Sequence, residues 1–517
     1  MSRTDRLALI LSLAAICAAH FVSEKVFERL PHLEDEMAYV WQAKVYACGE
    51  LTVPSPGHPK SMLVPFVVDY NGQRFSKYPP GWSVLLALGV MFAAGEWVNP
   101  LLAGLGIWLI YKLGQKVFNP GIGLLAAFLT LTSPFFLLNS GSLLSHPWSL
   151  VLSLSFSLAW LDTFYGIDQK KQHEKPKKGL PLLIHSMFRS PPKWLTILVA
   201  GFSLGVLALT RPLTAMGVGF PFAIHGIILL VRRDHTARRH VILIGVISIS
   251  IGALVLAWQY AVTGNPIQNP YALWWTYDKV GFGPGVGRMT GGHSLYWAWF
   301  DMKRSLNVAW SDLFGWGKFS WIFLPFGLWA GRRNGHAWLI GSVFVSLVMV
   351  YMTYWIGSSL FGPRYYYEGL SSLTVISASG VFWLADGIVR QKNWRKIYRI
   401  ATFLLVCFLV GYNLIVYLPG RLLGMVGLYG IRRAQMEPFL TWEAQALAPA
   451  VVVVHISDTW TEYGGLLELE DPWLTTPFIF ALNQGEYTNT ALQNDYPDRR
   501  LIHYYPDEPY KFYDSPR

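Results

Sequence analysis

The sequence predicts an α-helical polytopic membrane protein with a small α/β domain at its C-terminal end. Three observations carry this. Hydrophobic residues are 53% of the 517 residues and charged residues only 14%, with a mean hydropathy of +0.33, too apolar for one soluble globule and too long for a single span. Apolar runs of helical length recur along the first four-fifths of the chain. After residue 418 they give way to short apolar runs bounded by turn residues.

The net charge of +11 does not indicate a nucleic-acid partner, because the basic residues sit in short clusters between apolar runs. Cys17, Cys48 and Cys407 are too far apart to form a disulfide framework or a metal motif. The first apolar run, 7–22, is read as a retained helix: Ile16 before Cys17 does not suit a lipoprotein signal. Further runs lie at 100–112, 121–139, 148–165, 194–210, 213–231, 241–260, 319–331, 337–356, 369–389 and 398–418, giving about eleven spans.

The run 81–94 is assigned by parity. If it does not cross, the clusters "MSRTDR", "KLGQK", "KKQHEKPKK", "RRDHTARRH", "GRRNGH" and "RQKNWRK" all fall on one side, the cytoplasmic side, where Lys and Arg are retained. It is therefore read as a helix in the outer interface. The N-terminus is then cytoplasmic, and 23–99, about 140–147, 261–318, 357–368 and the tail face outward. No Asn-x-Ser/Thr acceptor occurs in these segments, which suits a bacterial plasma (inner) membrane. The basic stretch around 168–179 is low in complexity. The tail runs "AVVVVHI", "PFIFAL" and "RLIHYY" read as strands, which divides the chain into a membrane domain, 1–418, with a first outer loop 23–99, and an outward α/β domain, 419–517.

Candidate chemistry collects in the outward segments. "PHLEDEMAYVWQAK" places Glu34, Asp35 and Glu36 at the start of a helix over 34–47, whose Met37, Val40, Trp41 and Lys44 recur at helical spacing. This predicts an amphipathic helix resting on the membrane. Acids at a first turn also serve as plain caps, and Glu34 is assigned that role. "QRFSKYPPGW" places Lys77 and Tyr78 before a proline pair that starts the next helix. "LSHPW" places His146 in an outer turn, "ALTRPLT" places Arg211 at a helix boundary, and "SLFGPRYYYEGL" groups Arg364, Tyr365, Tyr366, Tyr367 and Glu368. An aromatic belt accounts for tyrosines there but not for Arg364. Trp274, Trp275, Tyr277, His293, Tyr296, Trp297 and Trp299 suit sugar stacking or the membrane interface, and most are read as interface.

The order of an outer "DE" on a helix, "DExxYxxQA", "KYPPGW", "SP" ending a span and "GPRYYY" resembles the GT-C superfamily of membrane glycosyltransferases. The branch it resembles includes protein O-mannosyltransferases and lipid A aminoarabinose transferases (glycosyltransferase family 39-like). The resemblance implies transfer of a sugar from a polyprenyl-phosphate carrier, the lipid-linked sugar donor, to a glycan, lipid or protein acceptor on the outer face. It implies Asp35 as the catalytic acid residue with Glu36 beside it, and Lys77 on the carrier phosphate. Arg211 and Arg364 are further phosphate ligands by their charge, with Tyr78, His146, Tyr365, Tyr366 and Glu368 as substrate-binding candidates. Relatives often carry a second acid in the second outer loop. Here that place holds His146, so a divalent metal ion is left open as cofactor, with Asp35, Glu36 and His146 as candidate ligands. The rival class is a polytopic transporter or lipid-linked-sugar flippase, which would keep ionisable residues near the bilayer midplane.

Overall fold

The computed structural model describes residues 2–169, 192–232, 234–387, 392–457 and 459–517. Most of the basic stretch around 168–179 lies outside the described residues. Among those residues, six helices are long and apolar enough to cross a membrane, or seven if a bent pair is one span. The expected runs at 7–22, 194–210, 213–231, 241–260 and 398–418 fall within the six, and 369–389 corresponds to the one that ends at Asp386. The run 121–139 is the bent pair: Pro120–Leu131 and Pro134–Gly141 meet at 62°. The bend falls where Ser133 caps the second helix and Pro134 begins it, since proline cannot continue the first helix's hydrogen bonding. The runs 100–112, 148–165 and 337–356 form the helices Val98–Val117, His146–Gln169 and Gly335–Tyr351. In 319–331 only Leu324–Ala330 is α-helical, seven residues. Those seven reach about 10 Å, so that run is not a helical span. The run 81–94 forms Pro80–Met91, 12 residues, or about 18 Å against ~30 Å of hydrocarbon.

The two ends of the helix bundle differ in charge. At one end Lys112 meets Asp5 at 2.9 Å, Lys116 meets Asp162, and Lys193 donates to the Thr163 carbonyl. At the other end lie the start of the helix Glu34–Ala47, the turn before His146, Arg211 between two long helices, and Arg364.

The first loop contains a small antiparallel sheet of β1 (Val53–Pro54), β2 (Val67–Tyr70) and β3 (Gln73–Ser76), in the order β1-β3-β2. Its hairpin turns on Asn71 and Gly72, both at positive φ, the signature of a tight primed turn. Val67 pairs with Ser76, so the next pair outward is Phe66 and Lys77, joined by a 3.0 Å bond from the Lys77 amide to the Phe66 carbonyl.

The tail strands fall where the apolar runs predict them: β4 (Ala450–Val454), β5 (Phe478–Leu482), β6 (Arg500–Tyr504) and the short β7 (Phe512–Tyr513), in the order β5-β4-β6-β7. The first three are parallel. The valine run is buried on both faces, which is why it does not alternate. Val452 and Val454 pack with Phe439 and Tyr463, and Val451 packs with Leu492 and Met62 of the first loop. The helical run of 392–412 continues through a π-helical turn, Asn413–Tyr417, into Leu418–Leu423, so the expected division at 418/419 falls inside it.

One expectation is corrected here. The helix Glu34–Ala47 has the predicted bounds, but its stripe does not rest on lipid. Met37 is buried with Leu30, Ile431 and Met436. Lys44 lies 3.8 Å from Glu468 and donates to the Glu470 carbonyl at 3.3 Å. A small cavity between helix and tail is lined by Met37, Val40, Trp41, Lys44 and Leu467. Periodicity reports a covered face, and the chain's own tail covers this one.

Candidate active site

Segments far apart in sequence converge on Asp35. Its Oδ2 accepts from Arg364 Nη2 at 3.1 Å, and its Oδ1 accepts from the Tyr78 hydroxyl. Arg364 is delivered by a turn in which Gly362 takes φ +73° and Pro363 follows, a conformation that favours glycine. Burial pushes the Asp35 carboxyl up, but the Arg364 charge, the Tyr78 hydroxyl and the Lys77 charge outweigh it and hold it below the usual carboxylate range. Asp35 is therefore ionised at neutral pH.

Lys77 does not snorkel to solvent. It is 2% exposed, and its ammonium sits over Phe66 at 3.4 Å, with Trp275 at 4.8 Å, Tyr271 at 5.2 Å and Tyr78 at 5.3 Å. Its one ion-pair partner in this cage is Asp278, at 3.1 Å. Asp278 also accepts from the Tyr354 hydroxyl at 2.8 Å and the Trp355 indole at 3.0 Å.

Arg211 terminates Lys193–Thr210 and donates to Glu368 at 3.2 Å and to the Tyr351 hydroxyl at 3.1 Å. Helix Pro80–Met91 packs tightly against this end: a Cβ on Gly81 would meet Thr210 at 2.5 Å and the Leu209 backbone at 2.8 Å, which glycine alone avoids. Tyr365 stacks on Tyr351 with ring centroids 4.9 Å apart, linking the Arg211 pair to the Arg364 pair. Both His146 ring nitrogens and Glu368 Oε2 are buried without a hydrogen-bond partner. Unpaired polar atoms in a buried site mark places where a ligand or water can bind. Tyr366 and Tyr367 pack edge-on against Phe344 and Phe135, as core rather than as contacts to the Asp35 cluster. An apolar groove of about 520 Å³ is lined by Pro80, Val84, Leu88, Met91, Trp258 and Ala261.

Two assignments are corrected. Glu36 is 1% exposed, and both its oxygens are occupied. Oε2 accepts from the His32 and Leu33 amides at 2.9 and 3.0 Å, and Oε1 from the Leu143 amide at 2.7 Å. It caps the helix and ties it to the turn before His146, so it does not face a substrate. The metal ion left open above does not fit the donor set of its candidate ligands. Among the described residues no three of His, Cys, Asp and Glu come together to hold an ion; Glu36 is spent on amides and Asp35 faces two cations.

Asp278, Phe66, Tyr271, Tyr351, Tyr354 and Trp355 are not singled out by the sequence, and Trp275 is one of the seven aromatics it leaves between stacking and the interface. The one available signal for Asp278 is an acid inside an aromatic-rich outer segment, "WWTYDK". For Tyr296 and Trp299 the interface reading fits: they are 68% and 57% exposed on the helix Leu295–Asp312.

Two buried acids set a pH dependence of stability. Burial pushes Glu36 up to about 7 against its three amide donors, and Glu470 up to about 8 against the Phe480 amide and the Arg74 and Lys44 charges. Each group, once unfolded, ionises near 4.5. Between that value and the folded one the folded chain holds the extra proton, so stability falls as pH rises through the window. Thermal midpoints in detergent should decline from pH 5 to 8, and Glu470→Gln should flatten the part above pH 7.

The chain's fold is one already seen in solved structures. Two solved structures with which the chain shares it are ArnT from Cupriavidus metallidurans, solved bound to undecaprenyl phosphate, and the oligosaccharyltransferase of Archaeoglobus fulgidus in the apo form. ArnT is 16% identical, with TM-score 0.55 over 96% of this chain and 89% of its own. The oligosaccharyltransferase is 12% identical, with TM-score 0.51 over 95% of this chain and 69% of its own. At these identities the likeness is one of fold. No protein-family model matches the sequence, and no curated protein matches it.

Proposed function

We propose that the protein is an inverting membrane glycosyltransferase that moves a sugar from a polyprenyl-phosphate carrier to an acceptor hydroxyl on the outer face of the plasma membrane. The observation that carries this reading is the ionised Asp35 set between Tyr78 and Arg364, with caged Lys77 alongside, at the bundle end opposite the Lys112, Lys116 and Lys193 cluster. Retention of basic residues in the cytoplasm makes the Asp35 end the outer one, with the N-terminus inside and 419–517 as an outward domain.

The chemistry follows from the groups present. The acceptor hydroxyl attacks the anomeric carbon from the face opposite the phosphate, and its proton passes to Asp35. The anomeric C–O bond breaks and the phosphate leaves as an anion, needing no general acid. Lys77 and Arg364 stabilise the developing charge. In the free protein Arg364 is paired with Asp35. A phosphate that draws Arg364 away frees the carboxylate as a base, so donor binding and base activation are coupled. The groove lined by Pro80 suits an isoprenoid chain whose head group lies at Lys77, and ArnT, a neighbour in fold, was solved with such a lipid. His146 and the free oxygen of Glu368 suit polar groups of the sugar or acceptor.

The test is release of polyprenyl phosphate by purified protein supplied with a polyprenyl-phosphate sugar. A transporter or flippase would return the donor lipid intact, and that result would overturn the proposal. Lys77→Ala should raise KM for the donor about ten- to a hundredfold, the worth of one charge-assisted contact, with a smaller fall in kcat. Unchanged donor KM would remove Lys77 from the phosphate site.

A further inference from the structure

The Lys77 cage is an unusual setting for an ammonium. Its walls are the rings of Phe66, Tyr78, Tyr271 and Trp275, and the side chain is 3% exposed. Ring faces attract a cation but do not replace the hydrogen bonds of water, and an unpaired lysine so buried would shed its proton. The charged groups bearing on it are Asp278 in the segment after Trp275, and Asp35 and Glu34 on the helix Glu34–Ala47. Asp35 is already engaged by Arg364 and Tyr78. Among the described residues only Asp278 bonds the ammonium directly, through Oδ2 at 3.1 Å. Its Oδ1 is fixed by Tyr354 and Trp355, so the carboxylate is anchored from behind and its free edge faces the lysine.

We propose that Asp278 is a positioning residue that keeps Lys77 cationic inside the aromatic cage, so that the ammonium can offer its remaining N–H groups to the donor phosphate. This rests on the reading of Lys77 as a lipid-phosphate ligand. Burial drives the Lys77 pKa down, and Asp278 is the strongest influence holding it up, ahead of Asp35. The cationic form exists below the lysine's pKa and is lost as pH rises through it. Removing the Asp278 charge brings that loss to lower pH.

The experiment measures undecaprenyl phosphate binding to the full-length protein in detergent from pH 6.5 to 9.5. Asp278→Asn should bind within about threefold of wild type at the acid end. Its affinity should then fall about tenfold per pH unit, starting at lower pH than in the wild type. Asp278→Glu, which keeps the charge, should follow the wild-type profile. In the double variant Lys77→Arg with Asp278→Asn the alkaline fall should vanish, because a guanidinium stays charged. A loss of binding in Asp278→Asn that is equal at every pH, or no loss at any pH, overturns the proposal. If Asp278→Asn does not fold, Tyr354→Phe, which releases one anchor of the carboxylate, should show a smaller alkaline shift, and a profile identical to wild type would overturn the proposal there. Failure of the wild-type protein to bind undecaprenyl phosphate at any pH would instead overturn the lipid-phosphate reading itself.

Discussion

Asp35→Asn is expected to fold, insert and bind undecaprenyl phosphate, yet to turn over at about a hundredth to a ten-thousandth of the wild-type rate. The amide keeps the shape of the side chain, and its oxygen can still accept from Tyr78, but it cannot take a proton from an attacking hydroxyl. Its neighbours provide the controls. Glu34→Gln should be mild, since that acid favours a helix start and bears on Lys77 less than Asp278 and Asp35 do. Glu36→Gln should act on stability rather than on chemistry. The carboxylate receives three backbone amides, an amide offers only one oxygen in return, and each buried donor left unpaired costs about 1–3 kcal/mol. The variant should therefore melt at lower temperature while its folded fraction retains kcat. Near-normal turnover in Asp35→Asn, measured at matched folded protein, would remove Asp35 as the base.

Arg364→Gln should lower kcat about a hundred- to a thousandfold, the usual loss when a preorganised group facing developing charge is removed. It should also move the acid limb of the rate profile upward. Arg364 supplies the largest influence holding the Asp35 carboxyl down, so without it the carboxyl rises and the basic form is lost at higher pH as the solution is acidified. Arg364→Lys should fall between, because an ammonium lacks the planar fork that can hold a carboxylate or phosphate at two points. A variant that lost rate with an unmoved acid limb would show that Arg364 does not govern Asp35.

Much of this was legible in the sequence, for identifiable reasons. Strand runs such as "AVVVV" and the helix 34–47 declare themselves by local composition and period. Asp35, Lys77, Tyr78 and Arg364 stand out because they sit in the outward segments, away from the basic clusters, within "EDE", "KYPPGW" and "GPRYYY". What stayed hidden depends on contacts across the chain. Asp278 pairs with a lysine 201 positions away, and the aromatic setting of "WWTYDK" does not say which partner it meets. Phe66 enters the cage only because the Asn71-Gly72 turn sets the register that places it opposite Lys77. Trp275 was indistinguishable from the interfacial tryptophans around it, because composition does not say which aromatic turns inward. The Met37 stripe shows the same limit: helical spacing identifies a buried face but not its cover. Glu36 lies beside Asp35 in sequence, yet the helix turns it toward backbone amides and Asp35 toward the cations.

The cover over the helix Glu34–Ala47 has a consequence for how the protein matures. The residues that bury Met37, Ile431 and Met436, are translated almost 400 positions after the helix itself, about 20–80 s later at ordinary rates of synthesis. Throughout that interval the segment bearing Asp35 stands at the membrane without its partner surface. A nascent or prematurely terminated chain therefore has the right residues in the wrong state of order, and competence arrives only when the C-terminal segment docks. The order in which the polypeptide emerges thus leaves the Asp35 segment uncovered until the last part of the chain is made.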